Sequence, residues 1–362
     1  MGNKKSAQKN LRRKATVMDL FSGCGGLSFG FEEAGYQVLY GIDNWEDALK
    51  TFKLNHPGSE TILADLMHES VEEIVKKNRI KVGDIDVIVG GPPCQGFSIS
   101  GKRNPHDPRN KLYVSFIAFL KVLKPKAFVM ENVPNLVSMQ NGNIKDTILS
   151  DLKQAGYSVS YKILKASDYG VPQNRRRVFF VGIRNGKEFE FPEPTFGIEG
   201  RPHITASEAI SDLPEQTVTD GEPYSVAPRS EFQNEIRKGS RSLHNHEIIE
   251  HSSKTKEIIA MVPDGGNYKN LPKRLWSTRK VNIAWTRLSS KKPSYTIDTG
   301  HNHIFHYKFN RVPTARESAR IQSFPDSFVF LGKNKASHLK QVGNAVPPKL
   351  AVAVAKKLVQ YL

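Results

Sequence analysis

The residues best suited to covalent chemistry lie at 90–98, where the sequence GGPPCQGFS places Cys94 directly after Pro92 and Pro93. The prolines restrict the backbone angle φ, so they hold a thiol in one place. A cysteine attacks as its thiolate, which nearby cations favour by lowering the pKa of the thiol. A small buried cysteine is the ordinary alternative, but it fits poorly between two prolines and Gln95. The segment therefore predicts a nucleophile.

Two further segments supply an acid and two cations. Glu131 ends an apolar run that predicts a strand, where burial can keep a carboxyl protonated and able to donate a hydrogen bond. Arg175 and Arg177 are two residues apart in the sequence PQNRRR, so an extended chain sends both guanidinium groups to one face. Such a face could hold a carboxylate, a thiolate or a phosphate. Taken singly, a strand-end glutamate and surface arginines are sufficient explanations.

A glycine-rich segment, DLFSGCGG at residues 19–26, follows the first predicted strand and opens the first predicted helix. Gly23, Gly25 and Gly26 allow the backbone to approach a ligand at a helix N-terminus. Asp43 ends the next predicted strand, where a carboxylate can bind ribose hydroxyls. The pattern predicts a nucleotide-like cofactor, with nicotinamide dinucleotide binding or simple tight packing as alternatives.

Two details favour a cationic cofactor over a dinucleotide. Ser28 interrupts the full G-x-G-x-x-G spacing, and Asp19 would repel a pyrophosphate but tolerate a sulfonium. Asp65 ends the third predicted strand and could accept a hydrogen bond from an adenine amino group, or could cap the next helix. Asn344, in the turn GNAVPP, could meet a cofactor edge or only shape the turn.

The elements that must position these residues follow a regular alternation of β-branched runs and amphipathic segments from residue 15 onwards. This alternation indicates βαβ units around a doubly wound parallel sheet, which binds ligands at the carboxyl ends of its strands. Strands are predicted over residues 16–21, 38–43, 61–65, 86–90, 127–131, 159–164 and 177–183. Helices are predicted over residues 27–34, 45–55, 69–78, 111–123, 145–155 and 348–361.

The composition favours a polyanionic partner. Lys and Arg number 53 against 36 Asp and Glu, for a formal net charge of +17, which makes nucleic acid the leading partner and a solvated basic surface the alternative. Two cysteines are too few for a disulfide framework and fit a reducing cytosol. No apolar stretch approaches the ~18 residues that span a bilayer, so we expect a cytoplasmic protein with no membrane partner.

The regular alternation stops after residue 183, and prolines punctuate an aperiodic stretch that predicts a second domain. Residues 269–292 hold eight basic residues, no acid, Trp276 and Trp285, which suits contacts with DNA or, equally, a solvated loop with two core tryptophans. Without a cysteine or acidic cluster in ligand spacing, we expect no metal and interpret the histidines of this region as solvated or DNA-contacting. They are His244, His246, His251, His301, His303 and His306.

In this order, DLFSGCGG, GGPPCQGFS, ENV, PQNRRRVFF, RESARIQSFP and GNAVPP resemble the motifs of the DNA cytosine-5 methyltransferase family, over nearly all of residues 15–362. The resemblance implies a Rossmann-like, doubly wound methyltransferase fold dependent on S-adenosylmethionine, with a smaller, mostly irregular target-recognition domain. The expected division is a basic disordered tail at 1–14, a catalytic domain at 15–190, the recognition domain at 191–325, and a segment returning to the catalytic domain at 326–362.

The resemblance also implies roles for individual residues. Cys94 would attack carbon 6 of cytosine, Glu131 would hold and protonate the ring at nitrogen 3, and Arg175 and Arg177 would organise the pocket. Asp43 replaces the glutamate more usual at the ribose, which shortens the reach by one methylene. The implied cofactor contacts are Phe21, Gly23, Gly25, Gly26, Asp43, Asn44, Trp45, Asp65, Pro93, Leu112, Asn344 and Val346, and the residues implied to brace the recognition domain are Arg316, Glu317 and Arg320.

The implied reaction is methyl transfer to carbon 5 of a cytosine flipped out of a specific duplex DNA sequence, by a monomer of the prokaryotic restriction–modification or orphan type. Residues 95–109 are expected to close over the flipped base. Three rivals stay open: an RNA methyltransferase with the same chemistry, a non-catalytic DNA-binding protein on this scaffold, and a nicotinamide-dependent oxidoreductase.

Overall fold

A computed structural model of the protein describes residues 13–93, 111–278, 285–297, 299–300 and 303–362. Cys94, most of the predicted N-terminal tail and the predicted closing loop at 95–109 lie outside the described residues. Within the described ranges, no helix combines the length and the apolar character needed to cross a membrane.

A seven-stranded sheet forms the centre of the molecule. Its strands are β1 (Thr16–Leu20), β2 (Gln37–Asp43), β3 (Glu60–Leu63), β4 (Val87–Gly90), β5 (Ala127–Asn132), β6 (Ser158–Lys165) and β7 (Arg176–Ile183). They lie in the order β3-β2-β1-β4-β5-β7-β6, which reverses direction between β1 and β4. The predicted doubly wound fold is confirmed, because the chain winds outwards from the middle of the sheet in both directions.

Helices cover both faces of the sheet. They are α1 (Gly26–Glu33), α2 (Glu46–Asn55), α3 (Val71–Lys77), α4 (Lys111–Leu123) and α5 (Asn143–Gln154). Successive residues of β1 enter different cores: Met18 packs with apolar residues of α3, α4 and α5, and Val17 packs with those of α1 and of a C-terminal helix. Burial on both faces explains the nearly continuous apolar runs that predict these strands.

One strand differs from the expected parallel arrangement. β7 runs antiparallel to both of its neighbours, β5 and β6. The connection from β6 to β7 contains only a short 3-10 helix, Ala166–Tyr169, whereas a parallel pair needs a crossover of a dozen or more residues. As a consequence, β7 begins at the sheet edge where β5 ends.

The remainder of the chain consists of short elements joined by irregular segments, as predicted. They are α6 (Ala206–Ile210), β8 (Glu222–Pro223), α7 (Glu231–Ile236), β9 (Ser242–Leu243), α8 (Ser253–Ala260), β10 (Thr286–Arg287), β11 (Ile304–Phe305), α9 (Ala315–Ile321), α10 (Lys335–Asn344) and α11 (Pro348–Leu358). Trp285 is 3% exposed and stacks on Phe305, so it is a core residue. Trp276 is 36% exposed, so of the two tryptophans only Trp276 is accessible to DNA.

Buried charges hold helix α9 to other segments of this irregular region. Arg320 donates to both oxygens of Asp326, at 2.9 and 2.6 Å, and also to Asp212. Glu317 accepts two hydrogen bonds from Arg311 at 2.7 and 2.8 Å. Fully paired charges of this kind are costly to break, because removing one partner leaves the other buried and unpaired.

Two histidines belong to this buried network, which corrects the expectation that they are solvated or in contact with DNA. His306 is 1% exposed and lies 3.7 Å from Glu317. Its pKa is lowered to about 4, chiefly by burial, so it is neutral at physiological pH. His246 is fully buried and contacts Thr314 and the carbonyl of Pro214.

The C-terminal helix α11 packs on α1 at Gly30, and this contact generates a prediction. A methyl group at Gly30 would collide with Ala351 and lie 2.7 Å from the carbonyl oxygen of Pro348. We therefore expect Gly30→Ala to lower the free energy of unfolding by about 1–3 kcal/mol, although alanine favours helix in an open position. Urea unfolding would measure the change, with Gly58→Ala as the control, because Gly58 has open space around it. An equal effect of both substitutions would contradict the packing argument.

Candidate active site

The predicted site residues converge on one edge of the sheet. β1, β2, β4 and β5 are parallel, so their carboxyl ends meet there, and the antiparallel β7 contributes its first residues to the same edge. Ligands of open α/β sheets bind at this edge.

The glycine-rich turn lies between β1 and α1. Phe21 and Gly23 have left-handed backbones, with φ of 58° and 53°, and a methyl group at Gly23 would meet open space. Asp43 holds the turn, because its carboxylate accepts from the amides of Gly23 and Trp45 at 2.8 and 2.9 Å. His56, which sequence reasoning missed, lies beneath the turn with Nε2 3.3 Å from the carbonyl oxygen of Gly25. Asp43 and His56 thus support the turn, and the space beside Gly23 is open.

Two buried or half-buried carboxyl groups make this turn acidic. Asp19 is 1% exposed and accepts a hydrogen bond from Ser28. Burial, with a smaller contribution from the charge of Asp43, raises the pKa of Asp19 to about 7, and burial also raises the pKa of Asp43. Among the described residues, no basic side chain forms an ion pair with either carboxylate. A cationic ligand fits this crevice better than a pyrophosphate does.

The predicted adenine side of the crevice follows β2 and β3. Trp45 is half-buried directly before α2, and the ammonium of Lys340 lies 4.6 Å from the centre of its ring. Asp65 accepts from the amide of Met67 at 2.9 Å, so it shapes a turn. Ser115 of α4 donates to the carbonyl oxygen of Leu66 at 2.6 Å, which brings the first turn of α4, including Leu112, to this end of the crevice.

The turn that follows α10 packs against the glycine-rich turn. A methyl group at Gly26 would lie 3.1 Å from Ala345 and would also crowd the carbonyl oxygen of Val346. Asn344 is exposed and Val346 is buried. The structure thus brings residues that are over 300 positions apart in the sequence to the two sides of one turn.

A buried carboxyl and two guanidinium groups lie at the other end of the edge. Glu131 of β5 is 9% exposed, and its Oε1 lies 2.8 Å from Nε of Arg177. Arg175 is 2% exposed, and no acceptor among the described residues bonds its buried Nε. Burial raises the pKa of Glu131, against the opposing charges of Arg177 and Arg175. Burial and Arg177 lower the pKa of Arg175 to about 9, so Arg175 remains a cation at neutral pH.

The chain leading to Cys94 is anchored against this acid, although Cys94 itself lies outside the described residues. A methyl group at Gly91 would lie 3.0 Å from Oε2 of Glu131, so glycine makes room for the carboxyl. Asn132 donates from its side-chain amide to the carbonyl oxygen of Pro92 at 2.9 Å. Pro93 is exposed. The segment that ends at Pro93 therefore runs beside Glu131.

Two glutamines that received no role in the sequence analysis connect these motifs. Gln173, within PQNRRR, donates to Gln322, within RESARIQSFP. Gln322 donates in turn to the carbonyl oxygen of Ala345 at 2.7 Å, and Gln173 accepts from the amide of Ile297 at 3.1 Å. Both glutamines lie inside recognisable sequence motifs, and those motifs were the available signal for their importance. Their pairing depends on the tertiary fold and is not visible in the sequence.

Comparisons with known proteins agree with this geometry. A methyltransferase of Rossmann-like fold is the class that the sheet order and the site define. The family model described as C-5 cytosine-specific DNA methylase matches residues 15–360, and the chain belongs to this family. It is therefore a DNA cytosine methyltransferase.

Several relatives match over most of their length. The type II methyltransferase M.DdeI of Desulfomicrobium norvegicum is 38% identical, over 95% of this chain and 88% of that protein. The type II methyltransferase M1.HphI of Haemophilus parahaemolyticus is 37% identical, over 95% and 87%. The crystal structure of a prophage-encoded DNA modification methyltransferase from E. coli has a TM-score of 0.77 and 27% identity, over 96% of this chain and 99% of that one.

The ion pair at Glu131 generates a prediction about its titration. Arg177→Met removes a cation that lowers the pKa of Glu131, so we expect the carboxyl to remain protonated to higher pH in the variant. Infrared titration of the protonated carboxyl band would measure the shift, and Glu131→Gln would identify the band by its loss. Arg176→Met is the matched control, because Arg176 is exposed and alternates away from the site. An unshifted titration in Arg177→Met would contradict the electrostatic role of this arginine.

Proposed function

We propose that this enzyme transfers a methyl group from S-adenosylmethionine to carbon 5 of a cytosine flipped out of a specific duplex DNA sequence, through a covalent adduct of Cys94 at carbon 6. The observation that carries the proposal is the placement of Glu131, Arg175 and Arg177 beside the anchored segment 91–93, which leads directly to Cys94. An acid and two cations beside a segment that leads to a cysteine suit addition to a pyrimidine ring.

S-adenosylmethionine, when bound, supplies an electrophilic methyl group on a sulfonium. In our proposal the acidic crevice receives it, because Asp19 and Asp43 favour a cation there and the glycine-rich turn permits close approach. Asp43 already accepts hydrogen bonds from two backbone amides, and each of its carboxylate oxygens retains a lone pair for a ribose hydroxyl. The other proposed contacts are Phe21, Gly25, Gly26, Asn44, Trp45, Asp65, Pro93, Leu112, Asn344 and Val346.

The protein's own groups prepare the base. The thiolate of Cys94 adds to carbon 6, and the ring charge that develops is stabilised at nitrogen 3 by a proton from Glu131. The raised pKa of Glu131 keeps that proton available. Carbon 5 thereby becomes nucleophilic and forms a bond to the methyl carbon, while the bond from that carbon to the sulfonium sulfur breaks and leaves a neutral thioether. A base then takes the proton from carbon 5, the thiolate leaves carbon 6, and nitrogen 3 returns its proton to Glu131. Arg175, whose buried Nε has no acceptor among the described residues, can donate to the base, while Arg177 orients Glu131.

None of these steps can occur in a stacked duplex, so the target cytosine must rotate out of the helix. We assign DNA recognition to residues 191–325, where Lys273 and Arg274 are exposed near Trp276. A single chain carries all proposed residues, so the proposed active form is a monomer. Its proposed place of action is the cytoplasm, on the DNA of the nucleoid.

The adduct can be tested with duplex DNA that contains 5-fluorocytosine at the target. A base can remove a proton from carbon 5 but cannot remove fluorine in the same way. The final elimination therefore stops, and the protein stays attached to the DNA. We expect the wild-type protein with S-adenosylmethionine to form this complex, and Cys94→Ala to form none while still binding DNA. Peptide mapping would assign the attachment to Cys94 rather than to Cys24, which is buried. Attachment that survives in Cys94→Ala, or that needs RNA rather than duplex DNA, would refute the proposal.

The DNA interface generates a second test in the dependence of affinity on salt. Lys273→Gln removes one exposed cation from the proposed interface, so we expect weaker binding across all DNA sequences and a salt slope smaller by about one. Fluorescence anisotropy at several salt concentrations would measure both. Lys187→Gln is the matched control: Lys187 is exposed but lies beyond the far end of β7, away from the site edge. Equal slopes for the two variants would place the interface elsewhere.

A further inference from the structure

Helix α2, which begins directly after Trp45, is bound along one face to the segment 329–333. Asp47 accepts from the amide of Lys333 at 3.1 Å. Thr51 exchanges hydrogen bonds with the backbone of Leu331, at 3.0 and 2.8 Å. Asn55 does the same with Val329, at 2.9 and 3.0 Å. Residues spaced by four lie on one helix face, so this segment fixes the position of α2 along its length.

The bound segment leads into α10, which carries Lys340. Ser337 in the first turn of α10 donates to Asp47 at 2.9 Å, and Gln341 donates to the carbonyl oxygen of Leu331 at 2.7 Å. These two hydrogen bonds fix the position of α10 relative to the N-terminus of α2. Lys340 lies over the ring of Trp45 because of this arrangement.

The contact between Lys340 and Trp45 has the geometry of a cation–π interaction. The ammonium is 4.6 Å from the ring centre, within the range in which the negative face of an indole attracts a cation. Among the described residues, no carboxylate forms an ion pair with Lys340, and no aromatic ring stacks on Trp45. An indole has two faces, so a cation on one face restricts the ring while the other remains available to a planar ligand.

We propose that Lys340 is a positioning residue for the cofactor, acting by holding the indole of Trp45 in the plane that stacks on the adenine ring. The proposal rests on the proposed function, since it requires S-adenosylmethionine in the crevice beside Trp45. Lys340 acts through Trp45 and does not contact the methyl donor. Its effect is therefore on binding and is absent from the chemical step.

The test compares Lys340→Met, which keeps the length of the side chain without its charge, with Lys340→Arg, which keeps the cation. Calorimetry with S-adenosylhomocysteine would measure affinity independently of turnover. We expect the dissociation constant to rise about two- to fivefold in Lys340→Met and to return towards the wild-type value in Lys340→Arg. KM for S-adenosylmethionine should rise in parallel, with kcat unchanged. Lys333→Met is the matched control. This substitution also removes an exposed charge near α2, but the side chain of Lys333 contacts no indole among the described residues.

A double-mutant cycle with Trp45→Leu assigns the effect to the indole. We expect Lys340→Met to have no further effect on affinity in the Trp45→Leu background. Unchanged affinity in Lys340→Met, or the same loss with and without Trp45, would overturn the proposal. Failure of the wild-type protein to bind S-adenosylhomocysteine would instead refute the proposed function, so the two failures are distinguishable.

Discussion

The contact between Glu131 and Arg177 joins two strands that run in opposite directions, and the site depends on that reversal. β5 ends with Glu131 and Asn132, and the first residues of β7 lie opposite them in antiparallel register. A parallel β7 would have carried Arg177 to the far edge of the sheet. Burial raises the pKa of Glu131, and the two guanidinium groups oppose that rise, so they make the proton of this acid easier to release.

Amide side chains also hold this edge together. Gln173 and Gln322 connect the loop before β7, helix α9 and the turn after α10. A glutamine carries donors and an acceptor, so each can bond to two partners in different directions. The buried ion pairs of α9 lie outside this amide chain and join segments of the irregular region to one another. Because the two glutamines are neutral, they add no net charge to the electrostatic field of Glu131 and the two arginines.

Periodicity predicted the seven strands of the central sheet to within two residues but none of the two-residue strands β8–β11, and the carboxyl-edge rule placed Glu131 and Asp43 at one edge. Apolar alternation is a local signal, so it is visible in the sequence. The direction of β7 was not predicted, because it depends on the length of a connection. The burial of His246 and His306 was not predicted either, since it depends on partners far away in the chain, and the burial of Trp285 was one of two alternatives that the sequence left open. The sequence motifs gave the proposed residues of the site, while the contacts that those residues make are visible only in the fold.

The segment 329–333 makes hydrogen bonds both to the proposed recognition region and to helix α2 at the proposed cofactor site. Its residues alternate: Val329 and Leu331 bond to α2, and Phe330 between them exchanges hydrogen bonds at 2.9 Å with Asn245 of the irregular region. An extended chain offers its backbone groups alternately to two sides. One short segment therefore fixes Asn245, within the proposed recognition region 191–325, and α2, beside the proposed adenine site. A displacement of either side must strain hydrogen bonds to the other, because both sets belong to the same few peptide units.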